Sequence, residues 1–220
     1  KVHQSLVAPN EDFSLLKALG TIDATHGWLP ELVIKGNKTT PEYGGGLCQI
    51  GTTVFRAALN AGMPITERRN HSYRVRYYEP AGTDATIYDP APDFKFKNDT
   101  PNWLLITQEA KTDDIDFLMW GTKDGRVASS STPVVTNIVA PPPTKIVETT
   151  EIPVGTRKCT EVAHAGATAS FDYAVRYADG RLATTTFRSV YRPWQAVCLV
   201  GVAQVTPAQA DALDETPLAP

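Results

Sequence analysis

Three consecutive glycines, Gly44, Gly45 and Gly46, stand directly before a run with helical periodicity. A backbone stripped of side chains can turn sharply there. Leu47, Ile50, Val54, Phe55, Ala58 and Leu59 then recur at three- and four-residue spacing, with Gln49, Thr52, Thr53, Arg56 and Asn60 on the other face. The pattern predicts an amphipathic helix from Leu47 to about Ala61, stopped by Gly62-Met63-Pro64. Cys48 falls in its first turn, where unpaired N–H groups and the positive end of the helix dipole favour a thiolate. A free cysteine is more often a small buried hydrophobe. Here the bare backbone beside the thiol leaves room for approach and favours a nucleophile.

Around this helix the chain alternates between short apolar runs and turns. Asn10 to Gly20 predicts a short helix with acidic residues near its start and a glycine stop. Residues 31–35 predict a strand that ends in a turn at 36–38. Residues 65–78 and 84–88 read as strands, Phe94-Lys95-Phe96-Lys97 alternates, and 103–107 can pair with 115–120, the first being apolar on both faces and therefore central. Residues 10–125 thus predict an α+β domain in which a mostly antiparallel sheet packs on the cysteine-bearing helix.

A shift in composition follows, with Ser129-Ser130-Ser131-Thr132-Pro133 and then Pro141-Pro142-Pro143. Consecutive prolines favour a stiff, extended spacer. The expected division is an α+β domain over 1–128, a Ser/Pro-rich linker over 129–143, a small all-β module over 144–205 and a tail over 206–220 that is weakly helical or disordered. Within the module, 145–148, 158–162, 171–177 and 196–200 alternate like half-exposed strands, and Asp179-Gly180 supplies a hairpin turn.

Charge and cysteine content narrow the function classes. A net charge of -3 gives no overall basic field, which disfavours nucleic acid as a partner. No apolar run approaches the length of a membrane-spanning helix. The chain begins at Lys1 without a signal peptide, so an export or anchor segment is expected to lie outside it. Of the three cysteines, Cys48 stands alone, whereas Cys159 and Cys198 both lie in strand-like runs of the last part. One disulfide between Cys159 and Cys198 is the economical pairing and suits an exported protein, and two buried thiols are the alternative.

Acyl transfer by cysteine needs a base, a group that orients the base, and donors for the oxyanion. The helix from Cys48 to Ala61 spans about 20 Å, and extended chain from Pro64 to His71 spans about 23 Å. A strand doubling back along the helix therefore returns His71 to the level of the thiol. His71 is the first choice of base and His26 the second. Asp84 is the favoured orienter over Asp89, because it follows the turn that closes the His71 segment. The N–H groups of Cys48 and Gln49 can hold the oxyanion. Arg69, in a cluster with Arg68, Arg74 and Arg76, suits a substrate carrying carboxylates. Scattered histidines and the lack of a Cys-x-x-Cys pair leave no metal-ligand spacing, and the triple glycine lacks the Gly-Lys-Ser/Thr ending of a phosphate loop. No cofactor is expected.

Several separated motifs combine over residues 10–125: Gly44-Gly45-Gly46-Leu47-Cys48-Gln49 with Thr52-Thr53, Glu67-Arg68-Arg69, His71-Ser72, Tyr77-Tyr78, Gly82 with Asp84-Ala85-Thr86, and Asp93-Phe94-Lys95-Phe96 with Asn98. Together they resemble the VanW domain family of bacterial cell-surface proteins. Gly51 departs from the pattern, since serine is expected there more often. The resemblance implies an extracytoplasmic cell-wall protein with L,D-transpeptidase-like activity, Cys48 being acylated by a peptidoglycan stem peptide and the acyl group passing to a neighbouring stem's amine. The expected substrate contacts are Gly45, Gly46, Gln49, Thr52, Arg69 and Tyr73. The last part resembles the G-five wall-associated module in its Lys145-Ile146-Val147-Glu148 start, its Tyr173–Tyr177 strand with Asp179-Gly180, and its Val200-Gly201 close. Such a module implies contact with wall glycan or a spacer role. The contrasting expectation is a non-catalytic, peptidoglycan-binding accessory protein in which Cys48 only packs.

Overall fold

The structure, a computed structural model, describes residues 1–35 and 38–206. In chain order its strands and α-helices are β1 (Ser5–Val7), β2 (Asp12–Ser14), α1 (Leu15–Leu19), β3 (Pro30–Lys35), β4 (Lys38–Tyr43), α2 (Leu47–Asn60), β5 (Ile65–Glu67), β6 (Lys95–Lys97), β7 (Leu104–Ala110), β8 (Ile115–Trp120), β9 (Val127–Ser130), β10 (Val134–Val139), β11 (Lys145–Thr149), β12 (Arg157–Glu161), β13 (Gly166–Arg176), β14 (Leu182–Tyr191) and β15 (Val197–Gly201). Among the described residues no helix is long and apolar enough to cross a membrane.

The expected α+β class is not what forms. Strand accounts for 40% of the described residues and helix for 13%, so the fold is mostly β. No single sheet lies on α2. The strands divide into β1-β7-β8, β2-β6-β5, the β3-β4 hairpin, β10-β13-β14 with β9 also on β13, and β11-β15-β12. The pairings are antiparallel apart from β11 with β15. The physical reason lies between residues 65 and 92. Only β5 forms there, Arg76–Tyr78 is a single 3-10 turn, and 84–88 is irregular although Ala85 and Ile87 are buried. Backbone donors of both expected strands are taken by side chains instead, the His71 N–H by Asp84 Oδ2 at 2.7 Å and the Ala85 N–H by Thr52 Oγ1 at 3.0 Å, so neither segment builds a regular ladder.

Other elements form where the periodicity placed them. Helix α2 buries Leu47, Gly51, Thr52, Val54, Phe55, Ala58 and Leu59. It ends at Gly62, whose φ of 74° lets the Gly62 N–H reach Leu59 O at 3.0 Å and the Met63 N–H reach Ala58 O at 3.0 Å. Strand β7 lies between β1 and β8, as its two apolar faces require. The short helix expected over 10–20 is split into β2 and α1, with Ser14 capping Lys17 N–H. Residues 36 and 37 of the expected turn, and the tail from 207 onward, lie outside the described residues.

The main core joins distant parts of the chain. Phe55 of α2 meets Phe94 at 5.6 Å and Phe187 of β14 at 5.5 Å between ring centroids, and Phe187 stacks on Phe171 at 5.1 Å. Phe171, Tyr173 and Val175 of β13 are buried in the same cluster as Val54, Phe55 and Phe96. Strands β9 and β10 fall within or beside the proline-flanked stretch 129–143 and pair with β13. Cys159 and Cys198 are opposite one another on β12 and β15 and form a disulfide.

Candidate active-site cleft

Gly44 and Gly46 adopt φ values of 99° and 81°, a region open to glycine at little cost, and deliver the chain into the first turn of α2. The Leu47 and Ile50 N–H groups are taken by Gly44 O and Gly46 O. Those of Cys48 and Gln49 have no acceptor among the described residues. Cys48 is free and half-buried, with Sγ 3.6 Å from Ile87 O. It opens into a cleft of about 1360 Å³ that Gly46, Gln49, Arg69, His71 and Tyr73 also line.

His71 is buried, at 4% exposure. Its Nδ1 lies 2.6 Å from Asp84 Oδ2, and its backbone N–H donates to the same oxygen at 2.7 Å. Nδ1 is thereby engaged, and the ring borders the same cleft as the Cys48 sulfur. The ring stacks on Tyr78 at 4.8 Å. Burial alone would depress the His71 pKa, but its bonds to Asp84 and Cys48 outweigh this and lift it to about 9. Burial would likewise raise Asp84, yet the His71 ring and backbone, the Tyr191 hydroxyl and the Arg68 guanidinium hold it at about 2. Imidazolium and carboxylate are therefore the forms present at neutral pH.

His71 and Asp84 are thus bonded to each other on the cleft that Cys48 also lines, although the route differs from the expected one. His71 sits on irregular chain after β5 rather than on a strand running back beside α2. The expected contacts divide. Gly46, Gln49, Arg69 and Tyr73 border the cleft. Gly45 does not, because its Cα faces the side chain of Glu31 closely enough that a Cβ would collide with it. Thr52 is 2% exposed and exchanges hydrogen bonds with Ala85, its Oγ1 accepting from Ala85 N–H at 3.0 Å. His26 is exposed and paired with Asp23 at 2.7 Å, while Asp89 lies on the cleft wall.

Sequence reasoning missed several neighbours of the site. Arg68, grouped with Arg69, Arg74 and Arg76 in the sequence, is inward: its side chain is 4% exposed, and it donates to Gly82 O, Asp84 O and Ser189 Oγ at 2.6–2.8 Å. Its guanidinium also lies 5.3 Å above the Phe55 ring. Tyr78 carries the face on which His71 rests. Tyr191 donates to Asp84 Oδ1 at 2.6 Å. Arg192 borders the cleft with Arg69. The Arg68-Arg69 doublet held no internal signal for which arginine turns inward, and Tyr191 lies more than a hundred residues from its partner.

A family model described as VanW like protein matches residues 1–120. The uncharacterized protein YoaR of Bacillus subtilis (strain 168) is 34% identical over 105 residues, covering 48% of this chain and 34% of that protein. The vancomycin B-type resistance protein VanW of Enterococcus faecalis (strain ATCC 700802 / V583) is 31% identical over 113 residues, covering 47% of this chain and 41% of that protein. The match therefore spans less than half the length of either relative. Among solved structures, the crystal structure of HP0197-G5 aligns with 34% of this chain and 97% of its own at 18% identity, with a TM-score of 0.18.

Proposed function

The chain belongs to the VanW-like protein family, and from that premise and the Cys48–His71–Asp84 grouping we propose that it carries out cysteine-dependent acyl transfer on peptidoglycan stem peptides. The observation that carries this is a free sulfur at a helix start, sharing one cleft with an imidazole whose Nδ1 is fixed by a buried carboxylate. In the first step the Cys48 thiolate attacks a peptide carbonyl of the donor stem. The C–S bond forms, the C–N bond breaks, and His71 passes its proton to the departing amine. In the second step an acceptor stem's amine attacks the thioester and gives a proton to His71, so that an amide forms and the thiolate returns. The N–H groups of Cys48 and Gln49 are free to receive the oxyanion in both steps.

The remaining features support the same substrate class. Arg69 and Arg192 border the cleft and offer their guanidinium groups to stem-peptide carboxylates. One relative is named a vancomycin resistance protein, which directs the function towards the cell wall. The disulfide suits an oxidising, extracytoplasmic location. The test is to incubate the full chain with purified muropeptides and follow both dimers and a thioester on Cys48. Wild type should form both and Cys48→Ala neither. A Cys48→Ala protein that still cross-links would remove Cys48 as the nucleophile, and a wild-type thiol that resists iodoacetamide would instead indicate a wall-binding accessory protein.

A further inference from the structure

We propose that Tyr191, at the end of β14 and outside the segment matched by the family model, is a positioning residue that holds Asp84 in register with His71. This role rests on the Cys48 chemistry proposed above.

The argument starts from the two oxygens of one carboxylate. Asp84 Oδ2 is occupied by His71, through both its ring and its backbone N–H. Oδ1 receives the Tyr191 hydroxyl at 2.6 Å and Arg68 Nη2 at 3.3 Å. The tyrosine bond is the shorter and fixes rotation of the carboxylate about its Cβ–Cγ bond. Without it, Oδ1 keeps only the longer Arg68 bond, and Oδ2 is held less firmly against the imidazole. Tyr191 is itself held, being 4% exposed with its oxygen accepting the Gly82 N–H at 2.7 Å. Burial, and then the charge of Asp84, push its hydroxyl above the ordinary tyrosine range, so that it remains a donor wherever thiol chemistry operates.

The contact belongs to a wider seam. Arg68 Nη1 donates to Ser189 Oγ at 2.8 Å, Asn70 Nδ2 to Val190 O at 3.0 Å, and the Arg192 N–H to Ser72 O at 2.7 Å. Residues 189–192 therefore lie along 68–72, the irregular segment that carries the base. That segment has no sheet of its own to stiffen it. Ser189 and Tyr191 point inward to the polar network, while Val190 and Arg192 face the cleft, as period-two alternation along a strand requires.

The test is a double-mutant cycle in the full chain, read by the rate of Cys48 alkylation with iodoacetamide and by NMR titration of the His71 ring. Tyr191→Phe should slow alkylation by about tenfold, and Asp84→Asn with Tyr191→Phe should react no more slowly than Asp84→Asn alone. The His71 titration should move in Tyr191→Phe and stay put in Tyr173→Phe, which removes another buried hydroxyl, bonded to Met63 O. If Tyr191→Phe fails to fold, 3,5-difluorotyrosine at 191 keeps ring and hydroxyl but changes its acidity, and the alkylation rate should follow. Losses that multiply, or a reactive wild type matched by Tyr191→Phe or by the fluorinated protein, overturn the positioning role alone. An inert wild-type thiol overturns the acyl-transfer function, and the role of Tyr191 falls with it.

Discussion

His71 gains its proton affinity from the folded state, and stability must therefore follow pH. Its pKa is raised to about 9 against about 6.5 in an unfolded chain. The stabilisation is fully present below about 6.5 and is lost as pH climbs through about 9. Asp84 works in the opposite sense: its pKa is lowered to about 2, so its contribution holds above about 4 and is lost as pH falls through about 2. Urea midpoints should decline between pH 6.5 and 9. Cys48→Ala removes the sulfur that helps hold the proton, so it should lower the His71 pKa and flatten that decline, whereas an unchanged slope would separate the sulfur from the imidazole. The place of Cys48 at a helix start and the pairing of His71 with Asp84 were legible, the first through periodicity and the second through a turn that favoured His71 over His26. Arg68, Tyr78 and Tyr191 were not legible, because their roles come from tertiary neighbours that no periodicity encodes.

At the scale of elements, α2 explains why this chain keeps glycine at 51. A Cβ there would strike the Ile87 side chain and come within 3.4 Å of Ala85 O. The residue held against this helix face is thus the one whose carbonyl borders Cys48. Gly51→Ala should cost about 1–3 kcal/mol through overpacking, measured as a lower denaturant midpoint, and should shift the Ile87 resonances together with the Cys48 alkylation rate. A neutral substitution would mean that Ile87 is free to yield. Elements with strong local pattern could be read in advance: α2, the β7–β8 pair and the Asp179-Gly180 hairpin between β13 and β14. The 65–92 segment could not. Its alternation resembled strands, but inward-turned Asp84 and Thr52 gave the backbone other partners, and the expectation of one sheet on one helix failed there.

For the molecule as a whole, the decisive feature is that β14 serves two masters. Phe187 packs on Phe55 in the core, and four residues further on Tyr191 grips the carboxylate behind His71. The strand is long and paired along its length with β13, which buries Phe171, Tyr173 and Val175 beside α2. Warming should then offer the sulfur no gradual retirement. A calorimetric melt and the collapse of alkylation rate with temperature should superimpose, since whatever dislodges this strand dissolves the hydrophobic interior and disarms the imidazole in a single cooperative event.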